Sequence, residues 1–512
     1  MTIDLSTITF TNQADVVPVS GEEYIVNTDI ANTLDGNDKI TGTGLPYNPS
    51  TPSSGYGIFN TGTLNTAEGN DTITGTGRYD FFNSSPASGY GIYNIGTLNT
   101  AEDDDIITGS GERGGIYNTG TLNTVEGNDI IRASAGAVGR GIYNTGTFYT
   151  GEGNDIIAAK TGFGGGDGII NSGTLNTAKG NDIISAWGKE RGIYNDGKFN
   201  TADGNDEITG IASSFEGISI ADGSILDTGN GNDKISGKSG KTSGIYNGSI
   251  TFNTGDGNDT IDAVGGLYGI HNKGHINTGN GKDTIIAKGG TLSGGYYGSG
   301  LYNISKIDTG DGDDIITGSG GIDNYGTIDT GDGDDVITGV SSLSDGYSII
   351  TGMGNFSNYG TIDTGNGNDS IIVDRSLIIG TNGTINTGDG KDTITSNKGI
   401  ENDGTINTGD GADFILANGG FKGLGSVFLG NGKDYLNGFG TGKFYGGNNQ
   451  DTLELTSGSY TVGITVGISG TTVSFSKSGI IIMETSEFEK LIAGSTTYDF
   501  TSLSQGQTIV VP

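Results

Sequence analysis

The stretch Gly326-Thr327-Ile328-Asp329-Thr330-Gly331-Asp332-Gly333-Asp334-Asp335-Val336-Ile337-Thr338-Gly339 holds two short apolar segments joined by a turn of Gly and Asp. Outward from it, related stretches are each preceded by a line such as Gly141-Ile142-Tyr143-Asn144, Gly192-Ile193-Tyr194-Asn195 or Gly244-Ile245-Tyr246-Asn247. The compact repeat reads Gly-Ile-x-Asn-x-Gly-Thr-Ile-Asp/Asn-Thr-Gly-x-Gly-x-Asp-x-Ile. Between turn aspartates the period varies: Asp314 to Asp335 and Asp392 to Asp413 are 21 apart, Asp38 to Asp71 is 33. The extra residues enter at one place, between the third apolar segment and the next Gly-Ile-x-Asn. Insertion at a single edge is what a stacked solenoid tolerates.

Each repeat reads as three short strands bounded by Gly, Asn or Asp, with no helical periodicity. Gly is 100 of 512 residues and hydrophobic residues are 32%, too few for several ordinary cores. A helix is disfavoured by that load, at roughly 1 kcal/mol per Gly relative to Ala. The expected fold is therefore all-β: a parallel β-solenoid of about seventeen coils with one column of metal-binding turns and a small C-terminal β cap. Residues 1–27 read as an N-terminal cap, 28–455 as the repeat domain and 456–512 as the C-terminal cap.

In-register stacking turns each repeat position into a column. The Ile or Leu of Gly-Ile-x-Asn, Thr-Ile-Asp and Asp-x-Ile should point inward. Asn60, Asn94, Asn118, Asn144, Asn171, Asn195, Asn247, Asn272, Asn303, Asn324, Asn358 and Asn402 should form a corner ladder, since Asn tolerates turn dihedrals and its amide can satisfy free backbone groups. The residue between, mostly aromatic (Phe59, Tyr93, Tyr117, Tyr143, Tyr194, Tyr246, Tyr302), should face outward. It reads either as a stacked ladder or as a contact surface.

The formal charge is −35, from 60 acidic and 25 basic residues. Such a chain lacks the clustered cations that nucleic acid and anionic membranes need. No apolar run approaches the ~18 residues of a membrane helix. With no cysteine, disulfides, thiolate metal sites and Cys nucleophiles are excluded. No Sec-type leader stands between Met1 and Asp38, so an export address is expected at the C-terminus.

The acids concentrate in one turn, seen as Gly255-Asp256-Gly257-Asn258-Asp259-Thr260-Ile261 and Gly409-Asp410-Gly411-Ala412-Asp413-Phe414-Ile415. Its glycines permit positive φ and can turn carbonyls toward one point, while the Asp adds a hard carboxylate oxygen. A set of six to eight oxygens suits Ca²⁺ better than Mg²⁺ or a soft metal, and no single turn supplies that many, so each ion should bridge two coils. The candidate ligands are Asp38, Asp71, Asp105, Asp129, Asp155, Asp182, Asp206, Asp233, Asp259, Asp283, Asp314, Asp335, Asp369, Asp392, Asp413, Asp434 and Asp451. Plain Asx turns without metal are the alternative. Against it, carboxylates stacked ~5 Å apart repel by a few kcal/mol per neighbour at an intermediate dielectric.

This turn resembles the RTX, or haemolysin-type, calcium-binding repeat, Gly-Gly-x-Gly-x-Asp-x-apolar-x, over roughly Leu34 to Leu455. The fullest match is Gly446-Gly447-Asn448-Asn449-Gln450-Asp451-Thr452-Leu453, with Asn449 at the second conserved Gly position. Thr replaces the first Gly in most repeats, as at Thr254. Ala67-Glu68-Gly69-Asn70-Asp71 and Ala101-Glu102-Asp103-Asp104-Asp105 lose further glycines, which puts calcium in the first coils in doubt. Family rolls carry a calcium turn on both edges. Here each coil carries one, implying a single ion column and a wider coil. Glu487 to Gly494 resembles the degenerate ending of many RTX proteins, which implies an uncleaved type I secretion signal in the last ~60 residues beside or instead of a plain cap.

The resemblance extends to cyanobacterial surface proteins of the oscillin kind and implies a secreted, extracellular cell-surface protein. Its expected role is a calcium-dependent sheath, S-layer or fibril subunit that self-assembles and folds on binding Ca²⁺. The alternative is an adhesin binding polysaccharide or ice through the aromatic column or through outward threonines such as Thr327 and Thr330. Loops 79–90 and 292–297 are candidates for lateral contacts. No catalytic constellation is found: His271 and His275 are the only histidines and belong to none, so no enzyme is expected.

Overall fold

The computed structural model describes residues 2–18, 23–45, 55–78, 89–292, 296–340, 355–468 and 470–512. The expected contact loops fall largely outside it, at 79–88 and 293–295, as do the insertions 46–54 and 341–354. The chain is an all-β parallel solenoid with three short strands per coil. It divides into two compact units, Met1–Gly266 with Gly274–Ile276, and Leu267–Lys273 with Asn277–Pro512.

In the first unit, the first strands of the coils pair in parallel from Tyr24–Asn27 to Ile245–Asn247. The second strands do so from Ile30–Asn32 to Thr251–Asn253. The third run from Lys39–Thr43 to Thr260–Val264. The register is one of equivalents, as in Ile142 opposite Ile169, Leu122 opposite Phe148 and Ile131 opposite Ile157. Because strand side chains alternate faces, that register puts Ile92, Leu98 and Ile107 of one coil all inside and wholly buried.

In the first unit one small residue per coil sets how closely the sheets approach. In the third strand the second inward position is Gly or Ala, and a Cβ built on Gly75 would lie 2.2 Å from the Gly91 carbonyl oxygen. A larger residue there would separate the first and third sheets.

The N-terminus begins with a partial coil. Thr2–Asp4 pairs with Tyr24–Asn27, and Val16–Val17 pairs with Lys39–Thr43, with Leu5 and Phe10 buried between. Tyr24–Asn27, read above as part of the cap, is the first strand of the first full coil. Its Asn27 also starts the asparagine ladder.

The second unit repeats the scheme. First strands pair from Ile270–Asn272 to Phe421–Lys422, second from Lys306–Asp308 to Gly442–Tyr445, and third from Thr284–Lys288 to Thr452–Leu455. After Leu455 the pairing turns antiparallel. Gly458–Gly467 lies between Gly470–Lys477 and Thr508–Val511, while Ile480–Ser486 returns in parallel beside Gly442–Tyr445. Lys490–Ala493 covers Thr452–Leu455. An antiparallel cap on a parallel stack protects an edge that would otherwise offer its free N–H and C=O groups to another chain.

The asparagine ladder is buried. Each Nδ2 donates to the next Oδ1, as from Asn94 to Asn118 (2.7 Å) and Asn118 to Asn144 (2.8 Å), and also to a backbone carbonyl such as Thr147 O (2.8 Å). Ile220 and Ile379 interrupt it, yet Asn195 still reaches the Ile225 carbonyl at 2.7 Å. The aromatic residues between Ile and Asn are half-exposed, and from Phe59 to Tyr143 they stack face to face, Tyr93 on Tyr117 at 4.5 Å and Tyr117 on Tyr143 at 5.0 Å. Where Ile170 breaks the stack, Arg191 covers the Tyr194 ring at 4.5 Å.

Candidate metal centre

The turn after the second strand has a fixed backbone. Its first residue adopts φ between about 60° and 90°, as at Gly229 (82°), Gly255 (86°) and Gly331 (75°). Leu34 (66°), Ala67 (58°), Ala101 (64°), Val125 (68°), Ala178 (58°) and Ala202 (60°) do the same without glycine. The first coils therefore keep the turn their motif departs from, at a cost of roughly 1–2 kcal/mol each. The second glycine is less replaceable. A Cβ on Gly257 would stand 1.7 Å from the Gly231 carbonyl oxygen, so consecutive coils come too close for a side chain there, whereas Asp103 (φ 87°) and Asn449 (φ 96°) hold the same position in their coils.

All seventeen aspartates expected as ligands occupy one position of this turn, and each is at most 2% exposed. Within each unit their Oδ1 atoms form a ladder in which an Asp accepts the backbone N–H of the Asp one coil earlier. In the first unit the distances include 2.7 Å from Asp38 to Asp71, 2.8 Å from Asp105 to Asp129 and 2.8 Å from Asp182 to Asp206. In the second they include 2.8 Å from Asp314 to Asp335 and 2.9 Å from Asp392 to Asp413. Both ends are closed: Asp15 N–H donates to Asp38 at 2.7 Å, and Glu489 Oε2 accepts the Asp451 N–H at 2.7 Å.

The second carboxylate oxygen is the informative one. Thr177 and Thr364 donate to Oδ2 of Asp182 and Asp369. Some of the corresponding hydroxyls turn instead to a carbonyl of the next coil, as from Thr124 to Thr150 (2.9 Å) and Thr408 to Leu429 (2.9 Å). The buried Oδ2 atoms of Asp38, Asp71, Asp105, Asp129, Asp155, Asp206 and Asp233 accept no hydrogen bond of good geometry, nor do those of Asp314, Asp335, Asp392, Asp413, Asp434 and Asp451, although a threonine hydroxyl such as that of Thr66, Thr100 or Thr309 offsets part of the burial of its Asp. Burial, reinforced by the neighbouring carboxylates, pushes Asp71 up to about 7 and Asp105 and Asp206 up to about 8. Asp314 rises to about 8 for the same reasons. A row of buried, under-satisfied carboxylates needs a counter-charge or a proton.

The threonines that precede the turn are correspondingly inside. Thr330, expected to face outward as part of a threonine surface, is 1% exposed, because it stands beside the Asp column; Thr327 stays at the surface. Two outer columns went unassigned in the sequence reading, although Asn or Asp recurs at the x positions of Gly-x-Gly-x-Asp. Their Oδ1 atoms accept N–H groups from the coil that follows, as Asn232 does from Asn258 (2.7 Å) and Asp332 from Asn366 (2.9 Å). Inner and outer ladders thus run in opposite directions.

The donor set fits a hard cation: carboxylate and hydroxyl oxygens with carbonyls of a glycine-bent backbone, and no sulfur. Among the described residues no group of three or more His, Asp or Glu side chains converges on one point, so backbone carbonyls would have to supply much of any coordination. His271, half-buried between Tyr268 and Tyr302 at 5.1 Å from each, belongs to the aromatic column, and burial pushes it down to about 4. No helix of the described residues is long and apolar enough to cross a membrane. No protein-family model, no curated protein and no solved structure matches the chain.

Proposed function

We propose that this is a secreted, non-catalytic structural protein of the cell surface, a sheath, S-layer or fibril subunit whose solenoid folds on binding Ca²⁺. One observation carries the reading: the column of buried aspartates, most of whose Oδ2 atoms accept no hydrogen bond of good geometry. Stacked anions inside a fold cost more than hydrogen bonds return, and a divalent ion between coils removes that cost. Bound Ca²⁺ supplies charge neutralisation and cross-linking of successive turns. The chain supplies the carboxylates and the backbone bend that presents them. From Phe59 to Tyr143 the stacked rings favour this role over the adhesin, since their faces are turned to one another rather than offered to a sugar or to ice.

Circular dichroism in excess EGTA is the test. The β-sheet signal is expected to disappear and to return with millimolar calcium. A signal that survives full chelation unchanged would overturn coupled folding. Negative-stain microscopy of the calcium-refolded protein then separates ordered fibrils or lattices, as expected, from isolated rods.

A further inference from the structure

The outward face of the third sheet in the first unit departs from the rest of the surface. Between the coils of Asp105 and Asp206 the outward residues of two neighbouring columns are Thr108, Arg132, Ala158, Ser185 and Thr209 in one and Ser134, Lys160, Trp187 and Ile211 in the other. Small residues beside large ones leave an open groove of about 490 Å³. Trp187 is the only tryptophan of the chain and is half-buried in the groove wall. The ring of Phe163, 94% exposed, meets it edge-on at 6.2 Å.

The charge of this groove is opposite to that of the chain. Arg132 and Lys160 are exposed and make no ion pair among the described residues, and no acid lines the groove. Glu207, two residues before Thr209 on the same face, is engaged by Lys234 at 3.0 Å. In a protein of net charge −35, two unpaired cations flanking an indole call for an anionic occupant.

We propose that this groove binds an acidic polysaccharide, one built of hexuronate units. Such a polymer presents an apolar C–H face on each ring, which stacks on an indole, and a carboxylate, which Arg132 and Lys160 would hold. The hydroxyls of Thr108, Ser134, Ser185 and Thr209 match its alcohols. Five rungs at ~4.8 Å extend about 19 Å, the length of a short oligosaccharide. The groove holds none of the turn aspartates, so polymer binding by the folded protein is read apart from the calcium reading.

The test uses the full chain, shown to be folded by circular dichroism, in native gels containing either hyaluronate or neutral dextran. Net charge repels the protein from hyaluronate, so retardation must come from a local site. Hyaluronate is expected to retard the protein and dextran is not. Trp187→Ala and Lys160→Glu should each weaken the retardation about tenfold, read from its dependence on polymer concentration. Lys398→Glu, in the second unit, should leave it unchanged. Should Trp187→Ala lose its fold, Ser185→Glu, which adds a carboxylate to the groove, carries the same expectation. Failure of hyaluronate to retard the folded protein overturns the proposal, as does equal retardation by dextran or of Lys160→Glu. Self-association in sedimentation that the same substitutions abolish without polymer would assign the groove to a second copy of the chain and equally overturn it.

Discussion

An aspartate of the inner column serves two ends with its two oxygens. Oδ1 holds the backbone of the coil before it, a bond any Asp or Asn could accept, whereas the buried Oδ2 is a cost that a threonine hydroxyl, a proton or a cation can relieve. Asp129→Asn separates these. The amide keeps an Oδ1 for the Asp105 N–H, now at 2.8 Å, and removes the charge. At limiting calcium the variant is expected to keep more of its fold than the parent, and in saturating calcium to be less stable by about 1 kcal/mol in urea unfolding. Destabilisation under both conditions would mean that the carboxylate acts as a plain hydrogen-bond acceptor. The column itself was legible because Gly-x-Gly-x-Asp recurs in the text. That its carboxylates turn inward beside Thr124 and Thr330 was not, since the repeat does not say which side of the bend a side chain takes.

At the scale of the element, a ladder is as strong as its ends. The last rung, Asp451, finds its acceptor in Glu489, 38 residues further along and within the C-terminal cap. Glu489→Ala leaves that N–H without its partner and should let the terminal coil fray. Amide exchange in Thr452–Leu455 is expected to accelerate about tenfold, with strands such as Ile315–Ser319 and Val336–Val340 unchanged. Exchange that is unaltered in Thr452–Leu455 would mean that Lys490–Ala493 alone protects the edge. The segment around Glu489 stood out in the sequence by its departure from the repeat. Its capping role needed the fold, because the partners are distant along the chain and share no motif. The N-terminal half-coil has the same history: Asp15 is a rung of the ladder, yet no Gly-x-Gly precedes it.

Across each whole unit the buried acids act together on stability. Burial raises Asp129 and Asp182 to about 7 and Asp206 to about 8 in the first unit, and Asp369 and Asp434 to about 7 in the second. These groups bind protons more tightly folded than unfolded. In the absence of metal their stabilisation is complete below the unfolded value near 4 and is lost as pH rises through roughly 6 to 8. In EGTA, whatever fold persists should therefore melt at a higher temperature at about pH 5 than at about pH 8. Calcium, which binds the charged form, should reverse that order. A melting temperature that rises with pH in EGTA would contradict the buried, under-satisfied column.

The sequence by itself determined the solenoid, the three strands per coil, the inward isoleucines and the asparagine corner. Each follows from a period repeated often enough that in-register stacking buries the equivalent apolar residue of one strand after another. The tertiary structure decided what repetition leaves open: the burial of the carboxylates and threonines, the opposed directions of the inner and outer ladders, the capping by Asp15 and Glu489, and the groove around Trp187. These depend on which non-equivalent residues meet across coils. Arg132, Lys160 and Trp187 look like scattered departures from a repeat until parallel pairing, one coil to the next, brings them onto one face.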